Sequence, residues 1–255
     1  PARVGMSPDS APWPYPRWVA HRGAGKLAPE NTLAAFRLGA AHGYRAFECD
    51  VKLSADGVPF LMHDATLERT TSGAGTGGDL PWAALSQLDA GAWHSRQYAG
   101  EPLPTLAGIA AWIQANGLLL NIEIKPTPGA ETLTGQVVAA HAARLWAGQA
   151  VPPLLSSFKP EALLAARAAA PHLPRALLID SLYPGWFDIA TQLACAAIVT
   201  NHKVMDAALL AQARQAGWRA LVYTVNELED AQRLLALGID GIITDAVDRF
   251  APAGG

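Results

Sequence analysis

From Arg17 onward, short β-rich runs alternate with Ala- and Leu-rich helical stretches, and this alternation limits the possible folds more than any other feature. Strand, helix, strand repeats call for a parallel sheet with helical crossovers, because a tight turn cannot join parallel neighbours. Core strands are expected near Trp18–Ala20, Ala46–Asp50, Leu118–Ile124, Leu154–Ser157, Ala176–Asp180, Ala196–Thr200, Ala220–Thr224 and Gly241–Thr244. Helices are expected near Thr32–Ala41, Leu106–Ala115, Pro160–Ala169, Ala207–Ala216 and Glu227–Leu237, among others. Asn31 and Asn226 are placed as helix N-caps, and Gly238 as the stop of the last helix. Eight parallel strands can close into an α/β barrel of the TIM (β/α)8 type, and 255 residues suit one such barrel. An open doubly wound sheet would normally carry a Gly-rich nucleotide turn after its first strand, and none is present.

Two segments depart from the alternation. Val51–Asp64 holds Ser54-Ala55-Asp56-Gly57 between apolar runs, and Asp-Gly is a strong hairpin signal. A hairpin is no parallel crossover, so this piece is expected to rise above the barrel mouth after the second strand and return along Val58–His63. Residues 65–104, rich in Gly, Thr and Ser, form a small insertion expected to shape the pocket. At the other end, residues 1–16 interleave Pro12, Pro14 and Pro16 with Trp13 and Tyr15 and suggest an extended, structureless lead-in. The domain expectation is that lead-in followed by one catalytic barrel over 17–255.

Composition removes several functions. With 51% apolar residues the chain is not a disordered segment, and a net charge of −3 without a basic run argues against a nucleic-acid partner. No apolar run is long enough for stable membrane insertion. Cys49 and Cys195 are too few for a disulfide framework, which fits a cytoplasmic setting. The stretch from Pro1 to Arg17 lacks the pattern of a secretion signal, although an already removed one would leave no trace.

The residues with chemistry lie at predicted strand ends. Side chains alternate along a strand, so Glu48 and Asp50 face one way and Cys49 the other. Glu123 and Lys125 share a face at the end of the next core strand, beside the second in a barrel. Inward carboxylates are costly unless paired or bound to a cation, and three hard oxygen donors suit one Mg²⁺ or Ca²⁺, with Mn²⁺ also possible. The plainer alternative is a set of salt bridges to Arg22, Lys52 or Lys125. His21-Arg22-Gly23 follows the first strand, and His63-Asp64 ends the hairpin's return arm over the same mouth. Two imidazoles there can act as general acid and base, and Arg22 offers a planar fork to phosphate oxygens. Phe158 and Tyr223 either wall a small substrate pocket or fill the core. Asp245 follows the last strand and is left outside the expected site. His42, His94, His141, His172 and His202 receive no role.

These motifs occur in order along the chain and resemble a known pattern. His21-Arg22-Gly23 with Ala28-Pro29-Glu30-Asn31-Thr32, Glu48-Cys49-Asp50-Val51 with Asp56-Gly57 and His63-Asp64, and Leu67-Glu68-Arg69-Thr70-Thr71 are similar to blocks of the glycerophosphodiester phosphodiesterase family. Glu123-Ile124-Lys125-Pro126, Ser157-Phe158, Tyr223-Thr224-Val225-Asn226 and Ile243-Thr244-Asp245 match its later blocks, and the compact bacterial cytosolic members are the most similar. The resemblance implies an α/β-barrel phosphoric diester hydrolase that releases glycerol 3-phosphate and an alcohol from a small glycerophosphodiester. It implies Glu48, Asp50 and Glu123 as metal ligands and His21 and His63 as the acid/base pair. Arg22 and Lys125 would contact phosphate. Tyr223 departs from the family's more usual Trp, which bears on substrate preference.

Two further readings stand beside it. One is a phosphodiester lyase of the sphingomyelinase D or phosphatidylinositol phospholipase C type, giving a cyclic phosphate. The other is a non-catalytic barrel used for binding. Nothing in the sequence names the alcohol or an oligomeric state.

Overall fold

The computed structural model describes residues 12–252, so the first eleven residues of the expected lead-in lie outside the described residues. Nine strands form one sheet: β1 (Trp18–His21), β2 (Ala46–Leu53), β3 (Pro59–Leu61), β4 (Leu119–Ile124), β5 (Leu154–Ser157), β6 (Arg175–Ile179), β7 (Ala197–Asn201), β8 (Arg219–Tyr223) and β9 (Gly241–Thr244). All except β3 pair in parallel in the order β1-β9-β8-β7-β6-β5-β4-β2, and β1 pairs with β2 to close the ring. The result is the eight-stranded barrel that the alternation foretells. Around it run α1 (Leu33–Ala41), the single turn α2 (Trp82–Leu85), α3 (Leu106–Ala115), α4 (Glu131–Leu145), α5 (Pro160–Ala169), α6 (Trp186–Gln192), α7 (Ala207–Gln215) and α8 (Leu228–Leu237).

Strand alternation builds two apolar layers. Outward residues such as Phe47, Cys49, Val51, Ile122, Leu177, Ile198 and Ile242 pack under the helices. Inward residues Val19, Ala46, Leu154, Ala176, Leu178, Val199, Leu221 and Ile243 fill the barrel. Toward the C-terminal end of each strand the inward series gives way to mostly polar or aromatic residues. There stand His21, Asp50, Glu123, Phe158, Asp180, Asn201, Tyr223 and Asp245, one per strand around the C-terminal rim. In this fold that rim is where chemistry occurs.

The hairpin forms as expected, with Val51 opposite Leu61 and Leu53 opposite Pro59 in antiparallel register. Its turn is closed by the Gly57 amide on the Ser54 carbonyl at 3.0 Å, with Gly57 at φ 81, a conformation that favours glycine. The insertion carries a small core of its own from Leu67, Leu85, Ala90 and Leu103, packed on Phe60 and Met62. At the opposite end of the barrel, residues 12–16 have no regular structure yet are not loose. Trp13 and Tyr15 pack against the barrel's inner apolar layer, and the Tyr15 hydroxyl donates to the Pro152 carbonyl at 2.7 Å.

Both expected Asn caps are corrected. Thr32 caps α1, its Oγ1 accepting from the Ala35 amide, while Asn31 sits at φ 58 and turns inward. Glu227 occupies the cap position of α8 without a side-chain bond, and Asn226 also turns inward. Gly238 ends α8 in the left-handed conformation, as expected.

Candidate active site

Strand β1 ends at His21, and the chain leaves through Arg22 at φ 56 and Gly23 at φ 101. A side chain on Gly23 would strike Ala35 of α1, so the tight exit requires glycine there. Ending β1 early leaves the Asp50 amide of the longer β2 without a strand partner. Asn31 fills that place. Its Oδ1 accepts from the Asp50 amide at 3.1 Å, while its Nδ2 donates to Asp50 Oδ2 at 3.0 Å. Asn226 does the same for Asp245, accepting from its amide at 2.9 Å and donating to Oδ2 at 3.1 Å. A terminal amide carries both a donor and an acceptor, which is why Asn can hold an Asp by backbone and side chain together.

Glu48, Asp50 and Glu123 converge. One carboxylate oxygen from each lies within 4.8 Å of the others, and the residues are 5%, 1% and 7% exposed. Parallel pairing places Asp50 beside Glu123, and Glu48 is one inward step lower. Burial, reinforced by the repulsion of Asp50 and the third acid, pushes Glu48 well above the usual carboxylate range. Glu123 is likewise raised, by burial and then by Asp50. Burial alone would also raise Asp50, but Arg22, His63 and the Asn31 bond together bring it below its ordinary value. Glu48 Oε1 is buried with no hydrogen-bond partner. Three converging carboxylates, with one oxygen of Glu48 lacking a hydrogen-bond partner, fit a divalent cation, and this buried triad can hold a metal ion.

Each proposed imidazole is anchored through Nδ1. His21 Nδ1 lies 2.7 Å from Asp245 Oδ1, with Nε2 3.7 Å from Glu48 Oε2. His63 Nδ1 lies 2.9 Å from Asp64 Oδ1. Burial pulls His63 below the usual imidazole value, against the opposing pull of Asp50. An Nδ1–H donated to a carboxylate leaves Nε2 as the atom that takes or gives a proton.

Cationic groups complete this half of the mouth. Arg22 Nη1 donates to Glu30 at 3.1 Å, and its Nε stands 3.4 Å from Asp50. The Lys125 side chain makes no hydrogen bond or ion pair among the described residues, and its charge is felt by Glu123 and His63. Phe158 and Tyr223 are not part of the acid cluster. Their rings meet edge to face, centroids 5.9 Å apart, over the β5–β8 side of the rim.

The sequence left several contributors unassigned. Asp245, set aside there, holds His21. Lys52, on the same face as Glu48 and Asp50, is 1% exposed, and its ammonium donates to the carbonyls of His63 and Lys125, both at 3.1 Å. Burial brings its pKa down to about 8. It thereby ties the hairpin arm to the end of β4. Arg69, from the insertion, grips Glu30 at 2.7 and 3.1 Å and Asp64 at 2.8 and 2.9 Å. Lys52 was readable from strand alternation. The Arg69–Glu30 and Asp245–His21 pairings had no local signal, since the partners are 39 and 224 positions apart. His94 lies away from the cluster, with Nε2 2.7 Å from the Lys26 carbonyl.

Hard oxygen donors, two acid-anchored imidazoles and two cationic side chains on one rim define an α/β-barrel enzyme suited to an anionic ester. Comparison with known proteins makes the class specific. The sequence profile of the glycerophosphoryl diester phosphodiesterase family matches residues 21–249. A glycerophosphodiester phosphodiesterase of Caldanaerobacter subterraneus is 33% identical over 232 residues, spanning 89% of this chain and 93% of that protein. A solved Oleispira antarctica phosphodiesterase, in complex with the product sn-glycerol-3-phosphate, matches with a TM-score of 0.84 at 35% identity, covering 91% of this chain and 93% of that one. A glycerophosphodiester phosphodiesterase from Agrobacterium tumefaciens matches at TM-score 0.77 and 27% identity, covering 92% and 99%. The chain belongs to the glycerophosphoryl diester phosphodiesterase family and is an enzyme of the phosphoric diester hydrolase class. Among the described residues no helix is long and apolar enough to cross a membrane.

Proposed function

We propose that this chain hydrolyses small glycerophosphodiesters to glycerol 3-phosphate and an alcohol, using one divalent cation held by Glu48, Asp50 and Glu123. Mg²⁺ or Ca²⁺ matches the all-carboxylate donor set, and Mn²⁺ is also suited. When bound, the cation supplies positive charge against the phosphate's non-bridging oxygens. Arg22, fixed by Glu30, and Lys125 bind the same phosphate and neutralise charge as it builds in the transition state. One imidazole Nε2, of His21 or His63, takes the proton from the nucleophile, either water or the neighbouring glycerol hydroxyl, which in the second case forms a cyclic phosphate that water then opens. The other gives a proton to the departing alcohol oxygen. Asp245 and Asp64 keep each ring in the tautomer this exchange needs. Residues 17–255 work as one catalytic barrel, with the 65–104 insertion bracing His63 through Arg69 and Asp64.

The observation that supports this most is the pair of imidazoles, each anchored by an Asp, beside a buried three-carboxylate cluster. The test is turnover of glycerophosphodiesters with and without chelator, in the wild type and in His21→Ala and His63→Ala. Each substitution is expected to cost on the order of 10²–10⁴ in kcat. Near wild-type turnover of either variant would refute the acid/base assignment. A cyclic phosphate as sole product would show a lyase instead.

A further inference from the structure

The acid cluster and both imidazoles belong to the β9-β1-β2-β4 half of the mouth. The β5–β8 half has a different chemistry and is not used by the mechanism above. Phe158 follows β5, and Tyr223 ends β8. Their rings meet across the two intervening strands, with Asp180 just past the end of β6 and Asn201 at the end of β7. Asp180 Oδ1 accepts from the Tyr223 hydroxyl at 3.0 Å and from Asn201 Nδ2 at 3.1 Å. Both donors are neutral. Its second oxygen, Oδ2, has no hydrogen-bond partner among the described residues, and no ion pair there involves Asp180. The residue is exposed to the mouth rather than buried, and Phe158 is 36% exposed beside it. Burial, then Asp180, pushes the Tyr223 phenol well above its usual value, so the hydroxyl remains a donor at neutral pH.

An uncompensated carboxylate at the entrance of a phosphodiester site repels the substrate's own negative charge. The repulsion becomes an attraction only if the substrate also carries a positive end. Aromatic rings add to the same preference, because their faces attract alkylated ammonium groups. A neutral polyol would gain nothing from the negative charge of Asp180.

Resting on the hydrolysis proposed above, we infer that the β5–β8 half of the mouth is a subsite for a cationic alcohol, an ammonium- or trialkylammonium-bearing leaving group. Asp180 supplies the charge, and Phe158 and Tyr223 supply the apolar walls. The substrate then lies across the mouth, with its phosphate over the acid cluster and its positive end toward β6.

The test compares kcat/KM for glycerophosphocholine, glycerophosphoethanolamine and glycerophosphoglycerol in the wild type, Asp180→Asn and Phe158→Leu. The Asn substitution keeps the size of the side chain and an oxygen for Tyr223 and Asn201 while removing the charge. The wild type is expected to favour both cationic diesters over glycerophosphoglycerol by about tenfold, and Asp180→Asn to abolish that ratio. Phe158→Leu should lower the glycerophosphocholine ratio more than the glycerophosphoethanolamine one, since the methylated cation has more apolar surface to lose. A general loss of fold would reduce all three rates and leave the ratios unchanged. Equal kcat/KM for the three diesters in the wild type, or ratios unchanged in an Asp180→Asn variant that keeps the wild-type rate on glycerophosphoglycerol, would overturn the subsite while leaving the hydrolase reading intact. No turnover of any diester would overturn that reading and the subsite with it.

Discussion

Replacing Asp245 by Asn tests whether an acid outside the cation cluster controls the proton chemistry of His21. The carboxylate stands 2.7 Å from His21 Nδ1 and is itself fixed by Asn226 through Oδ2 and the backbone amide. A neutral amide cannot satisfy both neighbours. If its oxygen faces His21, its NH2 group meets the Asn226 NH2, donor against donor. If it flips, the NH2 faces His21 Nδ1 and forces the proton onto Nε2, the atom that should accept one. Either way one charge-assisted hydrogen bond is lost, worth roughly 1.5–3 kcal/mol. At about 1.4 kcal/mol per decade, kcat/KM should fall roughly 10- to 150-fold. The assay is release of glycerol 3-phosphate from a glycerophosphodiester, with thermal unfolding of the same samples to show that the barrel persists. A kcat/KM within about twofold of wild type in a folded variant would refute the idea that Asp245 sets the tautomer of His21.

Three further outcomes follow from the same geometry. Saturating Mg²⁺, Ca²⁺ or Mn²⁺ at about 100 times its Kd should stabilise the metal-free protein by about 2.7 kcal/mol, or roughly 5–11 °C in Tm, and Glu123→Gln should remove most of that gain. Because burial raises Glu48 and Glu123 in the fold, the metal-free protein loses stability as pH rises above the unfolded carboxylate value of about 4.3. The cation's benefit should therefore shrink from pH 7 toward about pH 5, and a Tm that ignores all three ions would sink the metal-site reading. Arg69 holds Asp64 well below the usual carboxylate range, so that pairing stabilises at neutral pH and fades as pH falls below the unfolded value of about 3.9. Arg69→Met should accordingly cost on the order of 1 kcal/mol at pH 7, a cost that persists through pH 4 and disappears only as pH falls well below the usual carboxylate range, and a stability gap unchanged even there would count against the pairing.

The barrel was legible because period-2 alternation survives in all eight parallel strands, and the change from an apolar inward series to polar or aromatic residues toward their C-terminal ends marks the rim. Glu48, Asp50 and Glu123 could be placed together from register alone, since β2 and β4 are neighbours and side-chain direction is fixed by the pleat. Asn31 and Asn226 show where local reasoning fails. Both stand next to a helix start, where Asn is a favoured cap, but each is drawn inward by a strand-end amide whose neighbouring strand has already ended. That competing demand is tertiary and leaves no trace in the adjacent residues. The same holds for Asp245, separated from His21 by 224 positions. Arg69 reaches Glu30 across 39 positions, which no helical or strand spacing predicts.

The two reciprocal Asn–Asp pairs also explain how so many charges can be held at one rim. An acid free to rotate would lower its own cost by turning toward water or toward the nearest cation, and the cluster would disperse. Asp50 and Asp245 cannot do so, because each is bonded to its Asn through both backbone and carboxylate. With those two fixed, Arg22 is confined between Asp50 and Glu30, and His21 between Asp245 and Glu48. Lys52 closes the remaining gap by joining the carbonyls that follow the hairpin arm and β4. The site is thus set by backbone geometry rather than by side chains seeking one another, the condition under which electrostatic groups act on a transition state without first reorganising. On the β5–β8 side the arrangement is looser. Asp180 is held through one oxygen by neutral donors and faces the mouth with the other. If the phosphate lies over the acid cluster and the alcohol toward β6, as proposed, a rim rigid on one side and adaptable on the other can keep one reaction while its choice of leaving group is altered by one or two residues.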